Sequence, residues 1–241
     1  MSQPKQITLD LSKHVYYFSI PCYSGQIVTE TAVSLIRMTS WMSSAKIPHR
    51  VSCISSGALI DAVRNECVHE FLKTDADTWV TIDADIEFDL PAIQRLLVHS
   101  HSHPIVLGAY PTRVEPSNFI ISPTSGKLNE DGLLPVESCG FGFVAIQRKV
   151  FEQLKVPHYV KNGEVWNQYF KTGEIGPTKN YIGEDCWFLQ EAIRQGYQPL
   201  VDPKIVLNHH GRKKYEGSLM DVLDELLELG KEEELGASKG A

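Results

Sequence analysis

Short apolar runs alternate with stretches of helical apolar spacing through the first half of the chain. Val15 to Ile20 is a compact β-rich run closed by Pro21 and Gly25, and it reads as a buried strand followed by a loop. From Ile27 to Met42, apolar residues recur at Val28, Ala32, Leu35, Ile36 and Met42, which predicts a helix. Arg50 to Ile54 predicts a second short strand, broken by Ser55, Ser56 and Gly57. Ile60, Val63, Cys67 and Phe71 then mark an amphipathic helix to Leu72, and Trp79 to Asp83 a third strand with an acidic end. Pro91 opens a helix to His99, and Ile105 to Ala109 is a further strand.

The second half is less regular. Residues 111–135 are rich in Pro, Ser, Asn and Gly and read as a long loop or hairpin excursion. Phe141 to Ile146 resumes strand character, and a short helix covers Arg148 to Leu154. Residues 157–182 are irregular, and a helix from Glu184 to Arg194 is ended by Gly196. Tyr197 to Val206 holds a last short strand or two. An acidic amphipathic helix spans Ser218 to Leu229, and residues 231–241 are expected to be disordered. Strands alternating with helices predict an α/β fold with a mostly parallel sheet, whose ligands bind at the carboxyl ends of the strands. The acids beginning at Asp83 fall at such an end. The expected division is a domain over residues 1–217 followed by the terminal helix and tail over 218–241.

The chain has 241 residues and a net charge of -7. A global attraction to nucleic acid is therefore not expected, and any phosphate ligand requires local positive charge or a metal. Five cysteines, an odd number with no CxxC pair, suit reduced thiols and a cytoplasmic compartment. The first ten residues lack a signal-peptide core, and no run reaches membrane-spanning length.

Three segments carry candidate chemistry. In Thr81 to Phe88, alternation along an extended chain would put Asp83 and Asp85 on one side and Ala84 on the other. Two converging carboxylates repel unless a cation sits between them or one takes a proton, and oxygen ligands suit Mg²⁺ or Mn²⁺. The bland reading is a solvated acidic turn. Arg64, on the preceding helix, suits a carboxylate or a diphosphate. In the second segment, Glu184 and Asp185 open a helix after Gly183; acids favour helix N-termini for dipole reasons alone, and one could instead serve as a general base. The third runs from Leu207 to Lys214 and contains His209, His210, Arg212 and Lys213. An imidazole can complete a carboxylate metal site, and the basic residues could neutralise phosphates; a basic surface loop is the plain alternative. His99, His101 and His103 read as surface decoration.

The order of these segments resembles the GT-A glycosyltransferases, particularly a viral, phage and bacterial group. The resemblance spans residues 14–214. Ser19 to Gly25, including Pro21, Cys22 and Tyr23, looks like the donor-binding loop. Ala62 to Asn65 is similar to an Ala-Arg-Asn segment containing Arg64, and Asp83-Ala84-Asp85 to the metal and nucleotide motif. Gly108 to Pro111, with Tyr110, resembles the next strand and turn. Glu137 to Ile146, with Gly140, resembles the acceptor-side segment, and Glu184-Asp185 the acidic helix start. His209-His210-Gly211 matches the closing motif.

The resemblance implies a Rossmann-like GT-A fold and Mn²⁺ or Mg²⁺ as cofactor. It implies a UDP- or GDP-linked sugar donor and a glycan, lipid-linked or protein-linked acceptor. Asp85 and His209 would ligate the metal, Asp83 would contact ribose or a metal-bound water, and Asp185 would act as base with inversion. The cytoplasm would be a host's if the source is viral. Where relatives carry a base-binding acid after the second strand, this chain has Ile54-Ser55-Ser56-Gly57, which leaves the nucleobase open. The alternatives are a sugar nucleotidyltransferase and a non-catalytic sugar-nucleotide-binding module. The terminal helix suits packing onto the domain, or else a homo-oligomer or membrane-surface contact, and its acidic polar face argues against anionic lipid.

Overall fold

The computed structural model describes residues 9–22, 25–55, 59–114, 116, 118–175, 180–211 and 213–237. In chain order the first half contains β1 (Tyr16–Pro21), α1 (Thr29–Ser44), β2 (His49–Ile54), α2 (Ile60–Leu72), β3 (Thr78–Ile82), β4 (Ile86–Phe88), α3 (Leu90–Ser102) and β5 (Ile105–Leu107). The second half contains β6 (Ile121–Pro123), β7 (Leu134–Cys139), β8 (Phe143–Gln147), α4 (Arg148–Gln153), β9 (His158–Lys161), β10 (Glu164–Asn167), β11 (Gly173–Ile175) and β12 (Asn180–Ile182). It closes with α5 (Glu184–Arg194), β13 (Leu200–Val201), β14 (Leu207–His210), β15 (Lys214–Tyr215) and α6 (Leu223–Ala237).

The central sheet has eight strands in the order β2-β1-β3-β8-β5-β13-β7-β6. β1 pairs in parallel with both β2 and β3, while β8 runs antiparallel between β3 and β5. β13 is parallel to β5, and β7 is antiparallel to β13 and β6. Only β8 and β7 thus run against the common direction, which gives the expected Rossmann-like α/β architecture.

Every residue of β1 and β3 is buried, which is why these strands read as unbroken apolar runs. Successive side chains alternate between two cores. Trp79, Val144, Ile146, Ile105 and Leu107 face one side with α2, α4 and α5, and Val80, Ile82, Phe143, Ala145 and Val106 face the other with α1 and α3. Trp79 is fully buried, and its indole N–H donates to Ser19 Oγ at 2.8 Å, so its polar edge is satisfied. Asp89 caps α3 by accepting from the Ala92 amide at 2.8 Å. Gly196, with φ of 93°, follows the end of α5 as the sequence predicts.

Several local expectations change. α3 continues through Ser102, beyond His99, and the histidines there are structural ties. His99 lies 3.4 Å from buried Asp202, His101 Nε2 is 2.6 Å from the Tyr16 hydroxyl, and His103 is 2.8 Å from Asp131. The 157–182 stretch contains two antiparallel ribbons, β9–β10 and β11–β12. The final helix runs to Ala237, so residues 231–237 are helical; residues 238–241 lie outside the described residues. Leu219, Leu223 and Leu226 join the α2-side core, which turns the apolar face of the terminal segment onto the domain. Leu229 is exposed.

Candidate functional site

β3 ends at Ile82, and the next three residues turn before β4 begins. The Ile86 amide donates to the Asp83 carbonyl at 3.2 Å, so Asp83-Ala84-Asp85 is a turn and not the extended alternating segment that the sequence suggested. Each of its residues is tied by its backbone to a different part of the chain. The Asp83 amide donates to the Gly142 carbonyl, the Ala84 carbonyl accepts from Val28, and the Asp85 carbonyl accepts from His210, each at 2.9 Å. β4 and β14 are antiparallel partners, with Ile86 opposite His209. That pairing carries an imidazole from the far end of the chain to the second acid of the turn: His209 Nε2 lies 3.7 Å from Asp85 Oδ1.

The tautomer of His209 follows from its other nitrogen. Nδ1 lies 2.9 Å from the Pro111 carbonyl, which can only accept, so Nδ1 carries the proton and Nε2 presents a lone pair. Tyr110 packs edge-on against the imidazole with ring centroids 5.0 Å apart. The Tyr110 ring in turn rests on Gly140 and Gly142. A Cβ at Gly140 would lie 2.6 Å from the Tyr110 hydroxyl, and one at Gly142 would lie 2.8 Å from Tyr110 Cε1 and 3.1 Å from Asp83 Oδ2. Gly140 and Tyr110, expected on the acceptor side, stack in a row that ends against the His209 ring. Gly142→Ala is expected to lower stability by about 1–3 kcal/mol in urea unfolding, because the ring must shift to admit the methyl.

The two acids of the turn have different partners. Asp85 is contacted by Arg113 through Nη2, and Arg113 Nε donates to His209 Nε2 at 2.7 Å. Asp83 accepts from Arg64 Nη2 at 3.2 Å through Oδ2. Asp83 Oδ1 lies 3.2 Å from the same nitrogen without hydrogen-bond geometry, and this buried oxygen has no hydrogen-bond partner among the described residues. Arg64 is only 3% exposed. It also donates to Glu184 Oε1 at 3.2 Å and to the Phe141 carbonyl at 3.1 Å. Of the two partners that the sequence allowed for Arg64, the structure therefore supplies carboxylates.

Burial pushes the pKa of Asp83 up, the Arg64 guanidinium pulls it down, and the nearby Asp85 charge raises it again; the net direction is upward. Glu184 is likewise raised, by burial first, against the pull of Arg64. For Arg64, burial opposes the charge, but Asp83, Glu184 and Asp185 together hold it protonated. Asp185 opens α5 beside Glu184, half-buried, with Oδ1 accepting from the Cys186 amide at 2.7 Å.

Next to this cluster lies a cleft of about 910 Å³ bounded by Pro21, Gln26 to Glu30, Leu59, Ile60, Asp83 to Asp85, Arg113, His210 and Gly211. It sits beyond the carboxyl ends of β1 and β3, where an α/β sheet places ligands. Pro21 and Ala84 are on its wall. Cys22 is buried, with its thiol pushed up to about 11 by burial. Tyr23 and Arg212 lie outside the described residues. Lys213, expected at the phosphates, places Nζ 5.2 Å over the Tyr215 ring and does not border the cleft, whereas Arg113 does. Arg113 escaped sequence reasoning because it sits in a stretch legible only as a loop. Its position shortly after Tyr110-Pro111, in an acidic chain that needs a local cation, was the available signal.

Asp83, Asp85 and His209 do not form a three-ligand centre: among the described residues no group of three or more His, Cys, Asp or Glu side chains is arranged to hold a metal. Asp85 and the lone pair of His209, 3.7 Å apart, are donors of the types that divalent ions take. Mg²⁺-like ions commonly take one or two protein ligands and complete their shell with phosphate oxygens and water.

No protein-family model and no curated protein sequence matches the chain. Among solved structures it is similar to A197 from STIV, with a TM-score of 0.52 and 16% identity over 84% of this chain and 94% of that chain. It is also similar to GalNAc-T7 with UDP, GalNAc and Mn²⁺ (TM-score 0.45, 9% identity, 81% of this chain and 44% of that chain). A third is the inositol-1-phosphate CTP transferase from T. maritima (TM-score 0.42, 11% identity, 91% and 96%). The overlap with A197 is a likeness of fold: both chains share one Rossmann-like α/β architecture over most of their lengths.

Proposed function

We propose that this chain is a metal-dependent glycosyltransferase that moves a hexosyl or deoxyhexosyl group from a UDP- or GDP-linked sugar to an acceptor hydroxyl. The observation that carries the reading is the meeting of Asp85 and His209 across the β4–β14 pair, at the edge of a cleft large enough for a nucleotide sugar. Asp85 and His209 would hold Mn²⁺ or Mg²⁺. The bound ion would compensate the charge that builds on the departing diphosphate.

The chain's own groups divide the remaining work. Asp83 Oδ1, buried and without a hydrogen-bond partner among the described residues, suits a donor hydroxyl such as one on ribose. Leu59, Ile60 and Ile27 give the cleft an apolar wall suited to a base. Arg64 fixes Asp83 and Glu184 from behind and stays out of the cleft. Asp185 takes the proton from the acceptor hydroxyl as that oxygen bonds to the anomeric carbon and the bond to the diphosphate oxygen breaks, with inversion. The acceptor would be a glycan, free or linked to lipid or protein, and Tyr110, Gly140 and Glu184 would border it.

The test is nucleoside diphosphate release from a panel of nucleotide sugars with Mn²⁺, with Mg²⁺ and with excess chelator. Release from one donor class, stimulated by acceptor glycans and abolished by chelator, is expected. Undiminished release in chelator would overturn the proposal. Diphosphate binding without any release would favour a binding module, and release of pyrophosphate from a nucleoside triphosphate and a sugar phosphate would favour a nucleotidyltransferase.

A further inference from the structure

Arg113 occupies an unusual place for a loop residue. Its side chain is 45% exposed, yet its head is shared between the Asp85 carboxylate and the lone pair of His209. These are the two electron-pair donors that the proposed metal reading assigns to a divalent ion, so ion and guanidinium compete for the same acceptors. We infer that Arg113 is an exchangeable internal cation, which pairs with Asp85 and His209 before the metal enters and then transfers to the donor's diphosphate. This inference rests on the function proposed above.

Three features favour exchange over a permanent tie. First, the base of the Arg113 loop is pinned, by a bridge between Pro111 and Phe119 and by the Thr112 amide donating to the Asn118 carbonyl at 2.6 Å. The stem is therefore fixed close to the site whichever partner the head takes. Second, the guanidinium reaches solvent, being 45% exposed against 25% for Asp85, and ion pairs open to solvent contribute little net stability, so a divalent charge can compete with the guanidinium. Third, room for the stem depends on Gly211, where a Cβ would lie 2.9 Å from Arg113 Cδ. Arg113 and Gly211 both border the cleft. A displaced guanidinium thus stays on the rim where a diphosphate would lie, and its planar fork matches phosphate oxygens.

Displacement by metal and recruitment by phosphate predict shifts of opposite sign in one variant. Arg113→Gln is expected to bind Mn²⁺ alone more tightly, by about 3–10-fold in a titration followed by the electron paramagnetic resonance of free Mn²⁺. The same variant, at saturating Mn²⁺, is expected to bind UDP or GDP about 10-fold more weakly by calorimetry. Arg113→Lys, which keeps charge but loses the fork, should fall between wild type and Arg113→Gln in both. A purely structural role would weaken both ligands together. Unchanged or weaker Mn²⁺ binding in Arg113→Gln, with a wild type whose Mn²⁺ binding depends on Asp85 and His209, would overturn this inference alone. A wild type that binds no Mn²⁺, alone or with UDP or GDP present, would overturn the proposed function with it.

Discussion

Asp185→Asn is expected to lower turnover by about 10²–10⁴-fold while leaving metal-dependent diphosphate binding intact. The separation follows from placement. Asp185 lies at the start of α5, next to Glu184, whereas the cleft that would receive the nucleotide is bordered by residues of the β1, β3 and β14 ends. The amide is nearly isosteric and can still accept from the Cys186 amide through its oxygen, so the helix start should survive. It cannot take a proton from an acceptor hydroxyl. The measurement is kcat against the calorimetric affinity for the nucleoside diphosphate in the same variant. Retained turnover would remove Asp185 from the reaction, and loss of both quantities would make it a structural residue of the site.

The largest stability effect is expected at Arg64. Its guanidinium lies between Asp83 and Glu184, with the Phe141 carbonyl as a third acceptor, in a setting nearly closed to solvent. Arg64→Met keeps the bulk of the stem and leaves two acids without their cation. Breaking a buried pair from one side costs about 3–5 kcal/mol. The pH dependence has a definite sign. Both acids already have folded-state pKa values raised by burial against the pull of Arg64, and removing that pull raises them further. A carboxyl with a raised folded pKa favours the folded state at pH values below its unfolded pKa. That contribution is lost as pH rises through the folded pKa. The deficit of Arg64→Met in urea unfolding should therefore be larger near pH 8 and shrink towards about pH 5. A deficit independent of pH would mean that the two acids are not what Arg64 stabilises.

Much of the scaffold was legible because its physics is local. α2 begins at Ile60 and ends at Leu72, as its apolar spacing indicated, and the fully buried β1 and β3 stand out as apolar runs. β9 was not legible, because its residues are exposed or half-buried and carry no apolar alternation. β4 and β14 are three and four residues long and mix buried with half-buried positions, so neither stands out from its surroundings. Their pairing is what brings the His209 imidazole beside Asp85. From the sequence, the match of His209 to a closing motif suggested that meeting, but it could not show that Asp83 and Asp85 face different partners. Nor could it show Arg113 between Asp85 and His209, since that contact exists only once β4 and β14 are joined.

The claim on which the rest depends is that Asp85 and His209 jointly grip a divalent ion together with a nucleoside diphosphate. Calorimetry of UDP and GDP at saturating Mn²⁺, on wild type, Asp85→Asn, His209→Ala and the double variant, tests it directly. Each single substitution should weaken the preferred diphosphate at least ~10-fold, and the double variant should lose less than the sum of the two, as groups sharing one partner do. A double variant that binds the metal–diphosphate pair as tightly as wild type would contradict the account.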